Sequence, residues 1–186
     1  MKVIFLDRDG VINSYPGDRE YVKSWSEFKF LPRVKRGLKK LNLAGFKLYI
    51  VSNQAGVGKK IYSSAALERI TRNMLEGLKK SGVKISGVRY CTHRPADDCP
   101  CRKPRTGLID MVVRDLRKTG GKVELEKSYF IGDTIRDIQA GHAAGLKTIL
   151  VFSGKEKPQN RALWQQAPDL VAPDLAAAAD YVNKNI

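Results

Sequence analysis

Residues 2–10 read KVIFLDRDG, and the shape of that stretch decides the fold. Four apolar residues, Val3 to Leu6, stop abruptly at Asp7-Arg8-Asp9. Such a run is too short for a core helix. Rich in β-branched and aromatic side chains, it reads as a strand buried on both faces, Lys2–Asp7. The same shape returns at Phe46–Ser52, Val88–Cys91, Ser128–Ile131 and Leu146–Phe152, with Leu170–Val171 as a shorter sixth. Between these runs lie segments of helical character. They are Val34–Ala44 (Val34, Leu38, Leu41), Ala65–Lys80 (Leu67, Ile70, Met74, Leu75, Leu78), Leu108–Arg117, Ile135–Ala144 closed by Gly145, and Leu175–Val182. Strands alternating with helices predict an α/β fold, a Rossmann-like parallel sheet with helices on both faces. No insertion is long enough for a separate cap domain, so one domain is expected over 1–186, with Lys155–Gln166 a loop carrying a short helix.

Composition narrows the function classes. With 186 residues, 42% hydrophobic and 28% charged, the chain can build its own core and is not a disordered protein. No apolar run approaches the length of a membrane-spanning helix. The start, Met1-Lys2 and four apolar residues before Asp7, is too short and too soon charged for a signal peptide, so a cytoplasmic location is expected. The three cysteines all fall between positions 91 and 101, which is not a disulfide framework. Thirty-four Lys and Arg against 19 Asp and Glu leave +15, a charge that suits an anionic partner without choosing one. Nothing compels more than a monomer.

In open parallel sheets, ligands bind beyond the carboxyl ends of the strands, where strand order reverses. The residues after each strand should therefore converge: Asp7-Arg8-Asp9-Gly10, Ser52-Asn53-Gln54, Cys91-Thr92-His93 and Gly132-Asp133-Thr134. Asp7 and Asp9, two apart in extended chain, point to one face. Alone, that pair reads equally well as a loop cap followed by a turn. With Asp133, three acids would gather at one edge, and a divalent cation with a taste for oxygen, Mg²⁺, would relieve their repulsion. Asp137 follows one helical turn after Asp133. Ser52 and Asn53 offer a hydroxyl and an amide, and Lys103 supplies a cation.

Cys91, His93, Cys99 and Cys101 form a C-x-H-x5-C-x-C cluster that uses every cysteine of the chain. Three thiolates and an imidazole can close a tetrahedral Zn²⁺ site with no open position, the mark of a structural metal. A zinc-stabilised loop of this kind would end directly at Arg102-Lys103 and aim both cations at the site.

The ordered set DRDGV, SNQ, RK within CRKP, and GDTIRD, spanning residues 7 to 137, resembles the haloacid dehalogenase superfamily of phosphotransferases. That resemblance implies Asp7 as nucleophile and Asp9 as general acid and base. It implies Mg²⁺ held by Asp7, the Asp9 backbone carbonyl and Asp133, with Asp137 behind them. Ser52, Asn53 and Gln54 would face the phosphate, Lys103 would neutralise it, and Arg102 would reach the substrate. Arg8, between the two acids, is assigned only to balancing their charge. Within the superfamily, the Cys/His cluster with DRDGVIN and SNQAGVG is similar to the heptose bisphosphate and histidinol-phosphate phosphatases. The implied substrate is a small phosphorylated sugar, and removal of the 7-phosphate of heptose 1,7-bisphosphate is the first expectation. Histidinol phosphate is the alternative. The +15 charge raises a nucleic-acid 3′-phosphatase, but no basic strip interleaved with aromatics accompanies it. A non-catalytic zinc module would leave Asp7, Asp9, Lys103 and Asp133 without a purpose.

Elsewhere the residues read as structure. Gly56-Val57-Gly58-Lys59-Lys60 lacks the spacing of a phosphate-binding P-loop. His142 is expected as a packed or surface helix residue, Trp25, Phe28 and Phe30 as anchors of the loop after the first strand, and Lys35–Lys40 and Lys79–Lys84 as solvated faces.

Overall fold

The computed structural model describes residues 1–185. Six strands, β1 (Val3–Leu6), β2 (Lys47–Asn53), β3 (Ile85–Cys91), β4 (Tyr129–Gly132), β5 (Lys147–Val151) and β6 (Leu170–Ala172), form one sheet in the order β3-β2-β1-β4-β5-β6. Every pairing is parallel. Five α-helices intervene: α1 (Val34–Leu43), α2 (Ser64–Lys79), α3 (Gly107–Lys118), α4 (Ile135–Ala143) and α5 (Leu175–Lys184).

Alternation along β1 builds two cores. Ile4 and Leu6 join Val34, Leu38 and Leu41 of α1, Ile70, Met74 and Leu78 of α2, and Ala178 and Val182 of α5. Val3 and Phe5 face the other way, onto Leu108, Ile109, Val112 and Leu116 of α3 and Ala140 of α4. A two-sided core is why these strands read as unbroken apolar runs. The chain moves outward from β1 to β3, then returns to the other flank of β1 as β4. The loops leaving β1 and β4 therefore diverge, opening a crevice above the centre of the sheet.

Element ends fall within a residue or two of the sequence reading, except at β3. It begins at Ile85, three positions before Val88, because Ser86 and Gly87 interrupt the apolar run of an edge strand that is only half-buried. Gly87 is also where the tight fit lies: a Cβ there would sit 2.8 Å from the Tyr49 ring. The Lys155–Gln166 stretch holds one 3-10 helix, Pro158–Leu163. Between β1 and α1 the only helical segment is the 3-10 turn Trp25–Glu27. There Trp25 stacks on Phe28, and Phe30 meets both rings edge-on, pinning the loop to the first core. His142 is a packed residue: its Nε2 lies 3.0 Å from Asp169 and 2.8 Å from Thr148 Oγ1, tying α4 to the approach of β6. Among the described residues no helix is long and apolar enough to cross a membrane.

Candidate active site

β1 ends at Leu6, so Asp7 is the first residue past the strand, fixed by its backbone N–H donating to Ile131 of β4. Asp133 occupies the corresponding position after β4, and Asp137 sits in the first turn of α4. One carboxylate oxygen from each of Asp7, Asp133 and Asp137 lies within 4.8 Å of the others. Lys103 reaches in among them, its Nζ 2.9 Å from Asp7 and 2.6 Å from Asp137 Oδ1, and donates at 3.0 Å to the Val51 carbonyl. The Asp137 contact is an ion pair off the hydrogen-bonding line. Asp137 Oδ2 instead accepts from the N–H and hydroxyl of Thr134, capping α4.

The donor set fits a divalent cation. Three acids and one lysine leave a formal excess of two negative charges in a buried cluster, a costly arrangement unless neutralised. Burial raises the Asp7 carboxyl to about 6, with Asp137 adding to the rise and Lys103 opposing it. Burial, Asp7 and Asp137 together push Asp133 well above the usual carboxylate range. Lys103, despite burial, is held up to about 12 by Asp137 and Asp7. All-oxygen ligands of this charge suit Mg²⁺. Two glycines make room for Asp133: a Cβ at Gly10, where φ is +79°, or at Gly154 would fall 2.1 Å or 2.0 Å from its Oδ2.

Asp9 faces the same cleft but stands outside the carboxylate cluster. β1 stops before it, so the expected strand geometry does not extend to residues 7–9. Its carboxylate is held by Arg8 at 3.0 Å, Asn13 Nδ2 at 2.8 Å and Gln54 Nε2 at 2.9 Å. Arg8 is fully buried and spends its charge on Asp9 alone, rather than balancing both acids.

The β2 end divides its labour differently from the sequence reading. The Ser52 hydroxyl stands beside Asp7 and accepts from Gln54 Nε2. Asn53 clasps the Lys103 backbone with both ends of its amide, 3.1 Å each way, leaving one amide hydrogen uncommitted. Gln54, expected at the phosphate, is a buried bridge. Its amide joins Asp9 and Ser52, and its oxygen accepts from the Tyr62 hydroxyl. The cleft, about 220 Å³, is also lined by Tyr15 and Asp18 of the Asn13–Tyr21 loop, which the sequence offers as a substrate-facing loop, and by Arg136 and Lys155, to which it gives no role. Lys155 donates its N–H to Asp133 Oδ2 at 2.8 Å, and its Nζ pairs with Asp18 at 2.6 Å.

The sulfur cluster assembles as its spacing requires. Cys91 ends β3, and Cys99 Sγ lies 3.5 Å from both Cys91 Sγ and Cys101 Sγ. His93 Nδ1 lies 3.3 Å from Cys101 Sγ and 3.7 Å from Cys91 Sγ. Tetrahedral zinc with ordinary Zn–S bonds puts its sulfurs about 3.8 Å apart, close to these distances. The three cysteines are free thiols. Burial pushes Cys91 up to about 12 and raises Cys101, so without a cation most of this cluster stays protonated. The set could bind zinc.

A buried carboxylate beside a lysine, within a cluster of acids at the switch point of a parallel sheet, has the form of a phosphoryl-transfer site. A HAD-hydrolase-like family model matches residues 100–178. The D-glycero-beta-D-manno-heptose-1,7-bisphosphate 7-phosphatase of Haemophilus ducreyi is 34% identical over 98% of each chain. The corresponding enzyme of Chlorobaculum tepidum is 35% identical over 95% of this chain and 92% of its own. The crystal structure of D,D-heptose 1,7-bisphosphate phosphatase from B. bronchiseptica, complexed with magnesium and phosphate, superposes with a TM-score of 0.88 at 31% identity over the whole of both chains. The chain belongs to the haloacid dehalogenase-like hydrolases, alongside these heptose bisphosphate phosphatases.

Proposed function

We propose that the chain is a Mg²⁺-dependent phosphatase that removes the 7-phosphate of D-glycero-D-manno-heptose 1,7-bisphosphate. The observation that carries the chemistry is Asp7, a buried carboxylate at the switch point, 2.9 Å from Lys103 Nζ and clustered with Asp133 and Asp137. The names of relatives similar over nearly the whole chain support the substrate.

Asp7 would attack phosphorus in line, breaking the bond to the sugar oxygen and forming an aspartyl-phosphate. Asp9 would protonate the departing oxygen. It would then take a proton from the water that attacks phosphorus, releasing phosphate and restoring the Asp7 carboxylate. Arg8, Asn13 and Gln54 would keep Asp9 aimed through both steps. Lys103, the Ser52 hydroxyl and the free amide hydrogen of Asn53 would meet the phosphoryl oxygens, since this chemistry rests on positioning and electrostatics. Asp7, the Asp9 carbonyl and Asp133 would hold Mg²⁺, with Asp137 behind; bound there, the ion supplies charge neutralisation at the phosphoryl group. Cys91, His93, Cys99 and Cys101 would hold a structural Zn²⁺ that sets the course of Arg102 and Lys103. On this reading residues 1–186 act as one catalytic domain, in a reducing compartment such as the cytoplasm where three free thiols persist.

The test is phosphate release, with Mg²⁺, from the α and β anomers of heptose 1,7-bisphosphate and from histidinol phosphate. A higher kcat/KM for a heptose anomer is expected. Preference for histidinol phosphate would overturn the substrate, and no release from any of them would overturn the activity.

A further inference from the structure

The loop after β2, residues 54–62, is built tightly against the site although only Gln54 of it has a place there so far. Its backbone is tied to the Cys/His loop: Gln54 donates its N–H to the Cys91 carbonyl at 2.7 Å, and Gly58 to the Thr92 carbonyl at 3.0 Å. Two glycines allow the close fit. A Cβ at Gly58 would fall 2.4 Å from the Thr92 oxygen, and one at Gly56 would fall 2.2 Å from the Tyr62 ring. Gly56 therefore admits Tyr62, which lies buried with its ring near Tyr21 and its hydroxyl 2.7 Å from Gln54 Oε1. Burial pushes this phenol up, so it keeps its proton and donates.

That proton gives the Gln54 amide a direction. Oε1 accepts from Tyr62, so Nε2 faces the other way with both hydrogens committed, one to Asp9 Oδ2 at 2.9 Å and one to Ser52 Oγ at 3.1 Å. The Ser52 hydroxyl, having accepted, keeps its own hydrogen for Asp7 beside it or for a phosphoryl oxygen. The two oxygens of Asp9 are held unequally. Oδ1 accepts from Asn13 and Arg8, whereas Oδ2 has, besides Arg8, only Gln54. Turned end for end, the amide would set its oxygen against the Asp9 carboxylate. Gln54 is buried, so without Tyr62 its oxygen would stand unpaired and the amide would lose the bond that opposes its turning.

We propose that Tyr62 is a positioning residue for leaving-group protonation, acting through Gln54 to hold Asp9 Oδ2 toward the departing sugar oxygen. The role deepens the proposed function and rests on that reading. Tyr62 touches no substrate; it fixes the amide that joins the acid–base carboxylate to the serine beside the nucleophile. A misaimed acid loses rate where the departing oxygen needs a proton, and little where it does not.

The experiment compares kcat/KM, with Mg²⁺, for heptose 1,7-bisphosphate and for p-nitrophenyl phosphate in wild type, Tyr62→Phe, Gln54→Ala and the double variant. Nitrophenolate leaves without a proton, whereas a sugar alkoxide needs one. Tyr62→Phe should lower kcat/KM on the sugar phosphate about fivefold, as loss of one buried hydrogen bond gives, and on the aryl phosphate about twofold at most. Both esters are measured on one preparation, so any loss of folded protein cancels from their ratio. Gln54→Ala should show the same selectivity more strongly. Adding Tyr62→Phe to it should change little, because Tyr62 then has nothing to hold. Equal effects on the two esters, or losses that simply multiply in the double variant, overturn the positioning role and leave the phosphatase reading intact. Wild-type protein inactive on both esters would overturn the reading on which the role rests.

Discussion

The molecule carries two clusters of side chains that could hold a metal, built on opposite plans. The carboxylate cluster draws Asp7, Asp133 and Asp137 from separate strand ends and a helix start, and only the sheet brings them together. The Cys/His cluster comes from one stretch, residues 91–101, and brings itself together. In the first, a protein cation already stands among the acids, and the remaining charge faces a cleft. In the second, four soft donors surround a single point and leave no position open. The difference separates their tasks. On the proposed function the long-range cluster would act on a ligand and depends on the fold, and the short-range one would support the fold at a place where secondary structure runs out. They meet at Arg102-Lys103, where the loop held by sulfur delivers its lysine to the carboxylates.

The sharpest break in this contrast would come from Asp7→Asn. Turnover should fall by at least about 10³-fold, the scale of losing a nucleophile. The melting temperature of the metal-free protein should hold or rise, because the variant removes a charge that burial and Asp137 disfavour. Retained turnover would remove Asp7 from the nucleophile role.

Removing zinc should do the reverse. Chelation, or Cys99→Ser, should cost on the order of several kcal/mol in denaturant unfolding, since energy of structural zinc binding is folding energy. Unchanged unfolding after verified metal loss would end the structural reading of this cluster.

A smaller effect comes from pH. The folded pKa of Asp7, about 6, lies above its ordinary value of 3.8. The carboxyl is therefore fully favourable to folding only below about pH 4, and that contribution is lost as pH rises through 6. Metal-free protein should lose a few kcal/mol of stability between about pH 4 and pH 7.5 from this group. Mg²⁺ should raise the melting temperature more at pH 7.5 than at pH 5, which thermal scans at both values would check. Smallest of all, Asp18→Ala removes an exposed tie to Lys155 across the cleft mouth. Folding should be unaffected and KM should rise about threefold at most, since surface ion pairs contribute little.

Much of this was legible in the sequence because it repeats a local signal. Each strand but the edge strand β3 is an apolar run stopped by polar residues, and a parallel sheet places those stops at one edge. The Cys/His cluster was legible because all four donors sit in one short segment. What escaped depends on three-dimensional register. Gln54 follows Ser52 and Asn53 as though it were a third phosphate ligand, but it turns into the interior to bridge Asp9 and Tyr62. Asn53 holds a backbone fifty positions away with all but one amide hydrogen, which no spacing announces. Lys155 belongs to a polar loop without motif, and only the sheet brings it across the cleft from Asp18 in the Asn13–Tyr21 loop. Arg136 falls inside GDTIRD without a role of its own there. Its place at the rim follows from the buried pair beside it.

The most direct test of the central claim is mass spectrometry of acid-quenched enzyme caught during turnover of heptose 1,7-bisphosphate with Mg²⁺. The account predicts a phosphoryl adduct on the peptide carrying Asp7, absent in Asp7→Asn. Steady turnover with no adduct at Asp7 at any quench time, or an adduct that survives in Asp7→Asn, would contradict it.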